Sequence, residues 1–230
     1  AGGMGAGQPD YNVINVGLLS DRFTEGDEVT IEALAEKRIL DLSGRLPLDR
    51  VLSSLSLVAR AILMVIDERS LEQTKQLLGE LKAEPKNPPR HAIRALGRLG
   101  GDEMGYASDL DLILVHDGFG TTADGQPERV FWSQHLKAVT EMIGRPGTGG
   151  PLYEVDLRLR PDGAGGALVS RFDEFRDYFL GERSQLWEHQ ALVRSSAACG
   201  DAALATDVMQ WINEHLGRHV EPEQIALELG

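Results

Sequence analysis

Cysteine is almost missing from this chain: Cys199 is the only one in 230 residues, so no internal disulfide can form. A lone thiol suits the reducing cytoplasm, which is where we expect the protein to act. Basic residues are also scarce, since 23 lysines and arginines stand against 36 aspartates and glutamates and leave a net charge of −13. Nucleic-acid-binding proteins usually carry a basic groove, so we expect no nucleic-acid partner and favour a protein or small-molecule acceptor.

Long apolar runs are absent as well. The most apolar helical segment, residues 51–66, is interrupted by three serines and Arg60, so it is too short and too polar to cross a bilayer. The first residues show no basic stretch followed by an apolar one, and we expect neither a signal peptide nor a membrane partner. A hydrophobic content of 42% over this length is enough for a sizeable core in one large or two small domains.

The first third of the chain has helical spacing. Residues 1–10 are glycine-rich and predicted to be disordered. Residues 11–86 are predicted to form a helical N-terminal region, which the three prolines of residues 85–89 bring to an end. Within it, helices are predicted over 30–42, 48–67 and 70–81.

Beyond that linker, short apolar runs typical of strands alternate with helical patterns. The run 110–116 is apolar except for Asp111 and His116, and it predicts a strand that is buried on both faces. Strands are predicted over 91–99, 110–116, 152–160 and 167–170. Helices are predicted over 128–143, 172–180, 185–198 and 202–216, with another from Pro222.

Three aspartates mark the candidate site. Asp109 and Asp111 open the buried strand 110–116 and, two residues apart, share one face about 7 Å from each other. Asp156 lies in the pattern 152–160, where it would join them if the two strands are neighbours. Unpaired carboxylates at a buried sheet cost several kcal/mol or more, so a cation is the simplest reason for them. Mg²⁺ prefers such oxygen ligands, and two ions can align a phosphoryl displacement.

Further residues suit a phosphate group. The Gly100-Gly101 turn would let backbone N–H groups approach a triphosphate, and Arg158 and Arg160 share the predicted face of Asp156. Each feature alone has a plain explanation: a solvated Asp pair, an ordinary turn, or a salt-bridged exposed strand. Their order along the chain favours nucleotidyl transfer.

The segment 96–101 (LGRLGG), followed by 108–112 (SDLDL), resembles the core motif of glutamine synthetase adenylyltransferases. The resemblance continues through 152–161 (LYEVDLRLRP), 187–194 (WEHQALVR) and Gly200-Asp201, and it covers about residues 90–201. Arg98 stands where this family usually has lysine.

The resemblance implies an α+β fold of the DNA polymerase β-like nucleotidyltransferase superfamily, in which a palm made of a small mixed sheet with helices is flanked by helical segments. It further implies a nucleotidyltransferase catalytic domain over residues 87–183. Residues 184–230 would be the start of a C-terminal helical region that stops short at Gly230.

The resemblance also implies site residues and partners. Asp109, Asp111 and Asp156 would hold two Mg²⁺ ions, and Asp156 could assist deprotonation of the acceptor hydroxyl. ATP would be the substrate, and glutamine synthetase and a PII-type nitrogen signalling protein the partners. The nucleotide phosphates would lie at Gly100, Gly101 and Ser108, with Arg158 and Arg160 making phosphate or fold contacts.

Enzymes of this family are bifunctional: one half adenylylates a tyrosine of glutamine synthetase, and the other removes the AMP by phosphorolysis. Tyr153-Glu154 and the Trp187–Gln190 segment resemble the C-terminal, adenylylating half. The removing half typically has an arginine before the Val-Asp pair and a Trp-Glu-Arg motif. The alternatives are the removing activity, a non-catalytic nucleotide-binding regulatory module, and a small-molecule nucleotidyltransferase.

Overall fold

A computed structural model of the chain describes residues 47–83, 86–146 and 151–219, with side chains described up to residue 216. The glycine-rich start, the helix predicted over 30–42 and the helix predicted from Pro222 lie outside the described residues.

The elements alternate between helices and short strands, which confirms the predicted α+β class. The strands are β1 (Lys82–Ala83), β2 (Arg90–Ala95), β3 (Leu110–Asp117), β4 (Gly120–Thr121), β5 (Val155–Asp156), β6 (Ser170–Arg171) and β7 (Ser196–Gly200). The helices are α1 (Leu48–Leu78), α2 (Gly97–Gly100), α3 (Glu128–Gly144), α4 (Phe172–Leu180), α5 (Leu186–Val193) and α6 (Ala202–His219).

A five-stranded mixed sheet positions the candidate site. β2 pairs with β3 and β7 in antiparallel fashion, while β3 pairs with β5 and β6 in parallel. Helices cover both faces of this sheet, as expected for a nucleotidyltransferase-like palm. β1 and β4 form a separate two-stranded ribbon.

The central strand β3 is buried on both sides, as its apolar sequence predicts. Leu110, Leu112 and Leu114 point into a core shared with α1 and α3. Ile113 and Val115 point into a second core shared with α4 and α6. Because side chains on both faces of β3 are packed in a core, a shift in register would disrupt both cores, and this fixes the register.

The two helices predicted over 48–67 and 70–81 are wrong as separate elements, because α1 runs through both. Polar residues near the expected break are buried along the helix, and the Thr74 hydroxyl donates to the Ser70 carbonyl oxygen at 2.8 Å. Without glycine or proline between them, nothing interrupts the backbone hydrogen bonds. The helix ends at Gly79, which has a positive φ of 75°.

Three strand boundaries also differ from the prediction. The strand predicted over 91–99 ends at Ala95, because Gly97 at φ 54° turns the chain into α2. The strand predicted over 152–160 pairs only at Val155–Asp156 before the chain turns. The strand predicted over 167–170 is shorter and begins three residues later, as β6 at Ser170–Arg171.

The helix predicted over 185–198 ends at Val193, and its second half is the edge strand β7. Alanine has the highest intrinsic helix propensity, so Ala197 and Ala198 would favour a helix on local preference alone. Tertiary pairing with β2, from Ala92 to Ala95, decides their conformation instead.

Candidate active site

The site begins where β3 enters the sheet. Leu110 between the two aspartates is fully buried, which fixes the strand and turns Asp109 and Asp111 to the other face. Asp111 is half-buried and Asp109 is exposed. The packing of Leu110 therefore places both aspartate side chains on one face of the strand, as predicted.

β5 brings the third carboxylate. In the parallel ladder Leu110 stands opposite Val155 and Asp111 opposite Asp156, and the Leu110 N–H donates to the Glu154 carbonyl at 2.8 Å. Carboxylate oxygens of Asp109, Asp111 and Asp156 all lie within 4.8 Å of one another. The structure thus brings together the three aspartates that the sequence placed on two strands.

The cluster is electrostatically crowded. Burial raises the pKa of Asp111, and the negative charges of Asp109 and Asp156 raise it further. A bound cation would relieve this repulsion, and three carboxylates are the donor set that a hard divalent ion such as Mg²⁺ takes. The residues present therefore fit the metal that the fold implies.

Arg158 neutralises part of the cluster. Its Nε donates to both oxygens of Asp156, at 3.0 and 2.8 Å, and these hydrogen bonds lower the pKa of Asp156. The Arg158 side chain is 78% exposed, whereas that of Asp156 is 15% exposed. The ion pair thus joins an exposed guanidinium to a largely buried carboxylate.

Arg160 has a different environment. Its guanidinium donates to three backbone carbonyls, those of Leu157, Ala164 and Ala167, at 2.6, 3.2 and 3.1 Å. Of the two roles left open for it, these bonds support the fold contact, because they hold together the turn after β5.

A glycine that the prediction passed over approaches the carboxylates. The Leu96 N–H donates to the Asp111 carbonyl at 2.9 Å, and the next residue, Gly97, has a positive φ of 54°. A Cβ on Gly97 would stand 2.1 Å from Oδ2 of Asp111. Its place in the LGRLGG segment was the available signal, but its contact depends on how β2 and β3 pair.

Gly100 and Gly101 lie at the end of the short helix α2. Their N–H groups donate to the carbonyls of Leu96 and Gly97, at 2.8 and 3.2 Å. A Cβ on Gly100 would stand 1.8 Å from the Arg194 carbonyl oxygen. These glycines therefore allow close packing against the segment before β7, and their contact with a phosphate stays a prediction.

Ser108 shapes the loop that leads into β3. Its hydroxyl accepts a hydrogen bond from the Gly105 N–H at 2.9 Å, and its own N–H donates to the Gly105 carbonyl at 3.2 Å. The serine closes a tight turn directly before Asp109. Its predicted phosphate contact is likewise untested.

Sequence patterns gave no sign that Arg60 of α1 braces this loop. Its guanidinium donates to the carbonyl oxygens of Leu99 and Ala197, at 2.8 and 2.7 Å, and to the Asp102 carboxylate at 2.9 Å. Arg194 forms an ion pair with Glu103 on the same loop. Two arginines distant in sequence thus hold the glycine turn beside the carboxylates.

Glu188 and His189, in the segment 187–194, are hydrogen-bonded to α4 and to the loop before α5. The Tyr178 hydroxyl donates to Glu188 Oε1 at 2.8 Å, and the Gln185 N–H donates to Glu188 Oε2 at 2.7 Å. His189 Nε2 lies 3.0 Å from the Ser184 hydroxyl. Glu188 is thus a buried, hydrogen-bonded residue at the start of α5.

Comparison with known proteins yields one consistent family. A sequence profile of the glutamate-ammonia ligase adenylyltransferase family matches residues 31–210. The bifunctional glutamine synthetase adenylyltransferase/adenylyl-removing enzyme of Alteromonas mediterranea is 36% identical over 171 residues, which are 73% of this chain and 17% of that protein. The protein of the same name from Shewanella frigidimarina is 39% identical over 170 residues, covering 72% of this chain and 18% of that one.

A third relative with this name, from Nitrosococcus oceani, is 34% identical over 197 residues, covering 82% of this chain and 20% of its own length. The chain thus spans about a fifth of the length of the curated relatives it matches. Within the described residues, no helix is long and apolar enough to cross a membrane.

Proposed function

The chain belongs to the glutamate-ammonia ligase adenylyltransferase family, and on that premise we propose that it transfers AMP from ATP to a tyrosine of glutamine synthetase, with two Mg²⁺ ions. The observation that carries the proposal is the convergence of Asp109, Asp111 and Asp156 within 4.8 Å on two paired strands. Predicted localisation in the cytoplasm and regulation of nitrogen assimilation accompany this proposal.

Asp109, Asp111 and Asp156 would hold the metal ions. Bound Mg²⁺ would supply charge neutralisation and alignment for an in-line displacement at the α-phosphate. The contribution of the protein is a rigid carboxylate frame: the register that sets Asp111 opposite Asp156 fixes two of the three ligands through backbone hydrogen bonds.

Arg158 would change partners when ATP binds. In this structure it lies on Asp156, and its exposed side chain has room to turn towards a phosphate oxygen. Its departure would free both carboxylate oxygens of Asp156 for Mg²⁺. Assistance by Asp156 in deprotonating the incoming tyrosine hydroxyl, which the family resemblance implied, stays a prediction.

The acceptor is proposed to be a protein. A net charge of −13 is unfavourable for a nucleic-acid acceptor, and the relatives are named for glutamine synthetase. A PII-type signalling protein stays a predicted partner by the family resemblance.

Phosphorolytic removal of AMP from adenylylated glutamine synthetase is the second candidate. The names of the relatives state both activities, and a chain that spans about a fifth of their length corresponds to one part of them. The same carboxylates would serve either direction. The Tyr153-Glu154 and Trp187–Gln190 segments favour adenylylation over removal.

Two parallel assays separate these functions. The chain is incubated with labelled ATP, Mg²⁺ and unmodified glutamine synthetase, and separately with adenylylated glutamine synthetase and phosphate. Label on the tyrosine supports the first function, and release of ADP supports the second. Retained ATP binding with neither reaction would overturn both and favour a regulatory module. In the same assays, Asp111→Asn should abolish the reaction that the unchanged chain performs. Asp207→Asn, at an exposed position of α6, is the matched control and should retain it.

A further inference from the structure

A second cluster of metal-ligating side chains lies inside the fold, and the function proposed above does not use it. Asp67 of α1, His91 of β2 and His135 of α3 are all buried, at 5%, 6% and 0% exposure. Nothing in the sequence indicated a partner for His91, because 24 and 44 residues separate it from the other two.

Both imidazoles converge on one oxygen atom. Oδ1 of Asp67 is 2.9 Å from Nε2 of His91 and 2.8 Å from Nε2 of His135. Burial alone would raise the pKa of Asp67, but the hydrogen bonds from His135 and His91 outweigh it and hold this pKa well below its ordinary range. Asp67 is therefore a buried carboxylate anion with two imidazole nitrogens aimed at it.

The spacing is close to that of metal ligands. Donor atoms around a tetrahedral Zn²⁺ ion bound at about 2.0–2.1 Å lie roughly 3.3–3.4 Å apart. One ligand atom each from Asp67, His91 and His135 lies within 4.8 Å of the others, and the two hydrogen-bonded separations, 2.9 and 2.8 Å, are about half an ångström shorter than that interval. Small side-chain shifts, with no backbone rearrangement, would open the centre to an ion.

Two of the three side chains border a cavity. It has a volume of about 590 Å³, and its lining includes Asp67, His91, Trp132, Cys199 and Asp201, whereas His135 is fully buried. An ion could enter from this cavity, and a fourth ligand position facing it could take water. Two imidazoles and one carboxylate with an open position are a donor set for zinc and related transition metals, whereas Mg²⁺ prefers oxygen ligands only.

We propose that Asp67, His91 and His135 form a binding site for one divalent transition metal ion of the zinc class, separate from the all-carboxylate Mg²⁺ site. The ion would tie the long helix α1 to the sheet and to α3, because each element supplies one ligand. Binding requires the lone pair of each Nε2, so the ring protons move to Nδ1 or to solvent. Metal-free protein would keep the observed Nε2–H···Oδ1 hydrogen bonds.

The 230-residue chain carrying Asp109→Asn and Asp111→Asn, which removes the first site, is titrated with Co²⁺ as a spectroscopic stand-in for zinc. We expect one equivalent to bind with visible d–d absorption, displaced by Zn²⁺ and not by excess Mg²⁺. Adding His135→Gln should weaken binding at least about tenfold. His189→Gln, at a histidine that pairs with Ser184 instead, is the matched control and should leave binding unchanged.

Nitrogen-15 spectra of the histidine rings decide the proposal even if His135→Gln fails to fold. In the double-aspartate variant, Zn²⁺ should shift Nε2 of both His91 and His135 and remove their Nε2–H signals. The melting temperature should also rise with Zn²⁺ and not with Mg²⁺. Unchanged Nε2–H signals at saturating Zn²⁺, or equal Co²⁺ absorption with His135→Gln, would overturn the proposal and leave the cluster as a hydrogen-bonded network only.

Discussion

Gly97 lies so close to Asp111 that a Cβ on the glycine would stand 2.1 Å from Oδ2 of the carboxylate. The residue also has φ 54°, where a side chain costs about 1–2 kcal/mol. We therefore expect Gly97→Ala to displace the Asp111 carboxylate and to lower both metal binding and AMP transfer by at least about tenfold, since 1.36 kcal/mol corresponds to a factor of ten.

The measurements for Gly97→Ala are Mn²⁺ binding and label transfer from ATP. Gly165→Ala is the control, because a Cβ there would meet nothing within 4 Å. Normal metal affinity in Gly97→Ala would show that the glycine does not set the position of Asp111.

Asp109→Asn and Asp111→Asn each replace an anionic metal ligand by a neutral one. We expect either change to reduce AMP transfer by about 10³-fold or more, because the developing phosphate charge loses several kcal/mol of stabilisation. Circular dichroism and urea unfolding should show an intact fold. Turnover within a few fold of the unchanged protein would refute the metal assignment.

Removing Arg158 should have opposite effects on metal binding and on catalysis. The guanidinium lies on Asp156 in this structure, so Arg158→Gln frees a ligand and takes a positive charge from the cluster. Without nucleotide, we expect Mn²⁺ to bind a few fold more tightly. With ATP, we expect transfer to slow, because the variant lacks the guanidinium proposed to contact a phosphate.

Arg183→Gln is a matched control for Arg158→Gln, because Arg183 is also exposed but pairs with Asp162. Titration of both variants with Mn²⁺ by electron paramagnetic resonance gives the comparison. Weaker Mn²⁺ binding in Arg158→Gln than in the control would contradict the idea that the guanidinium competes with the metal.

His116 should make the folded protein sensitive to mild acid. Burial, together with the charge of Arg171, lowers the pKa of this 2% exposed imidazole to about 4, from an ordinary value of 6.5. Between these values the unfolded chain binds a proton that the folded one does not. The free energy of unfolding should therefore decrease as pH falls from about 6.5 to 4, by roughly 3 kcal/mol at 1.36 kcal/mol per unit.

Urea unfolding between pH 4 and 7.5 measures this effect. His116→Gln, which stays neutral throughout, should give a flatter dependence across that interval. Parallel curves for the two proteins would show that other groups cause the loss of stability.

Arg60 should matter for stability because of its geometry as well as its charge. It donates to two backbone carbonyl oxygens and one carboxylate, and Leu99, which supplies one of the accepting carbonyls, is fully buried. We expect Arg60→Lys to reduce the free energy of unfolding by about 2 kcal/mol, since an ammonium group cannot reproduce the planar fork. Arg69→Lys, at an exposed position of the same helix, should change it little, and an equal loss there would contradict the assigned role.

The carboxylate cluster could be predicted from sequence because its causes are local. Strand alternation fixes which face Asp109 and Asp111 share, and the apolar run 110–116 fixes the burial behind them. Asp156 followed from the same alternation once its strand was assumed to be a neighbour. The α+β fold with a small mixed sheet, which the family resemblance implied, was confirmed as well.

Features that depend on distant contacts were not predictable. Gly97 owes its importance to the pairing of β2 with β3, and Arg60 reaches partners 39 to 137 residues away. The end of α5 and the start of β7 were misjudged because pairing with β2 overrides the helical preference of Ala197 and Ala198. The Asp67–His91–His135 cluster joins three elements and leaves no periodic pattern in the sequence.

β3 pairs with β5 at Leu110 and Asp111 and with β6 at Val115 and His116. Residues 157–169 therefore lie outside the sheet, and backbone pairing of β5 and β6 with β3 holds the chain at both ends of this segment. A change of length or sequence beyond Arg160 can alter what approaches the aspartates while Arg158 and the aspartates keep their places. Under the proposed function, exchanging residues 161–169 would therefore change the surface offered to an acceptor protein and leave the groups assigned to the phosphate in place.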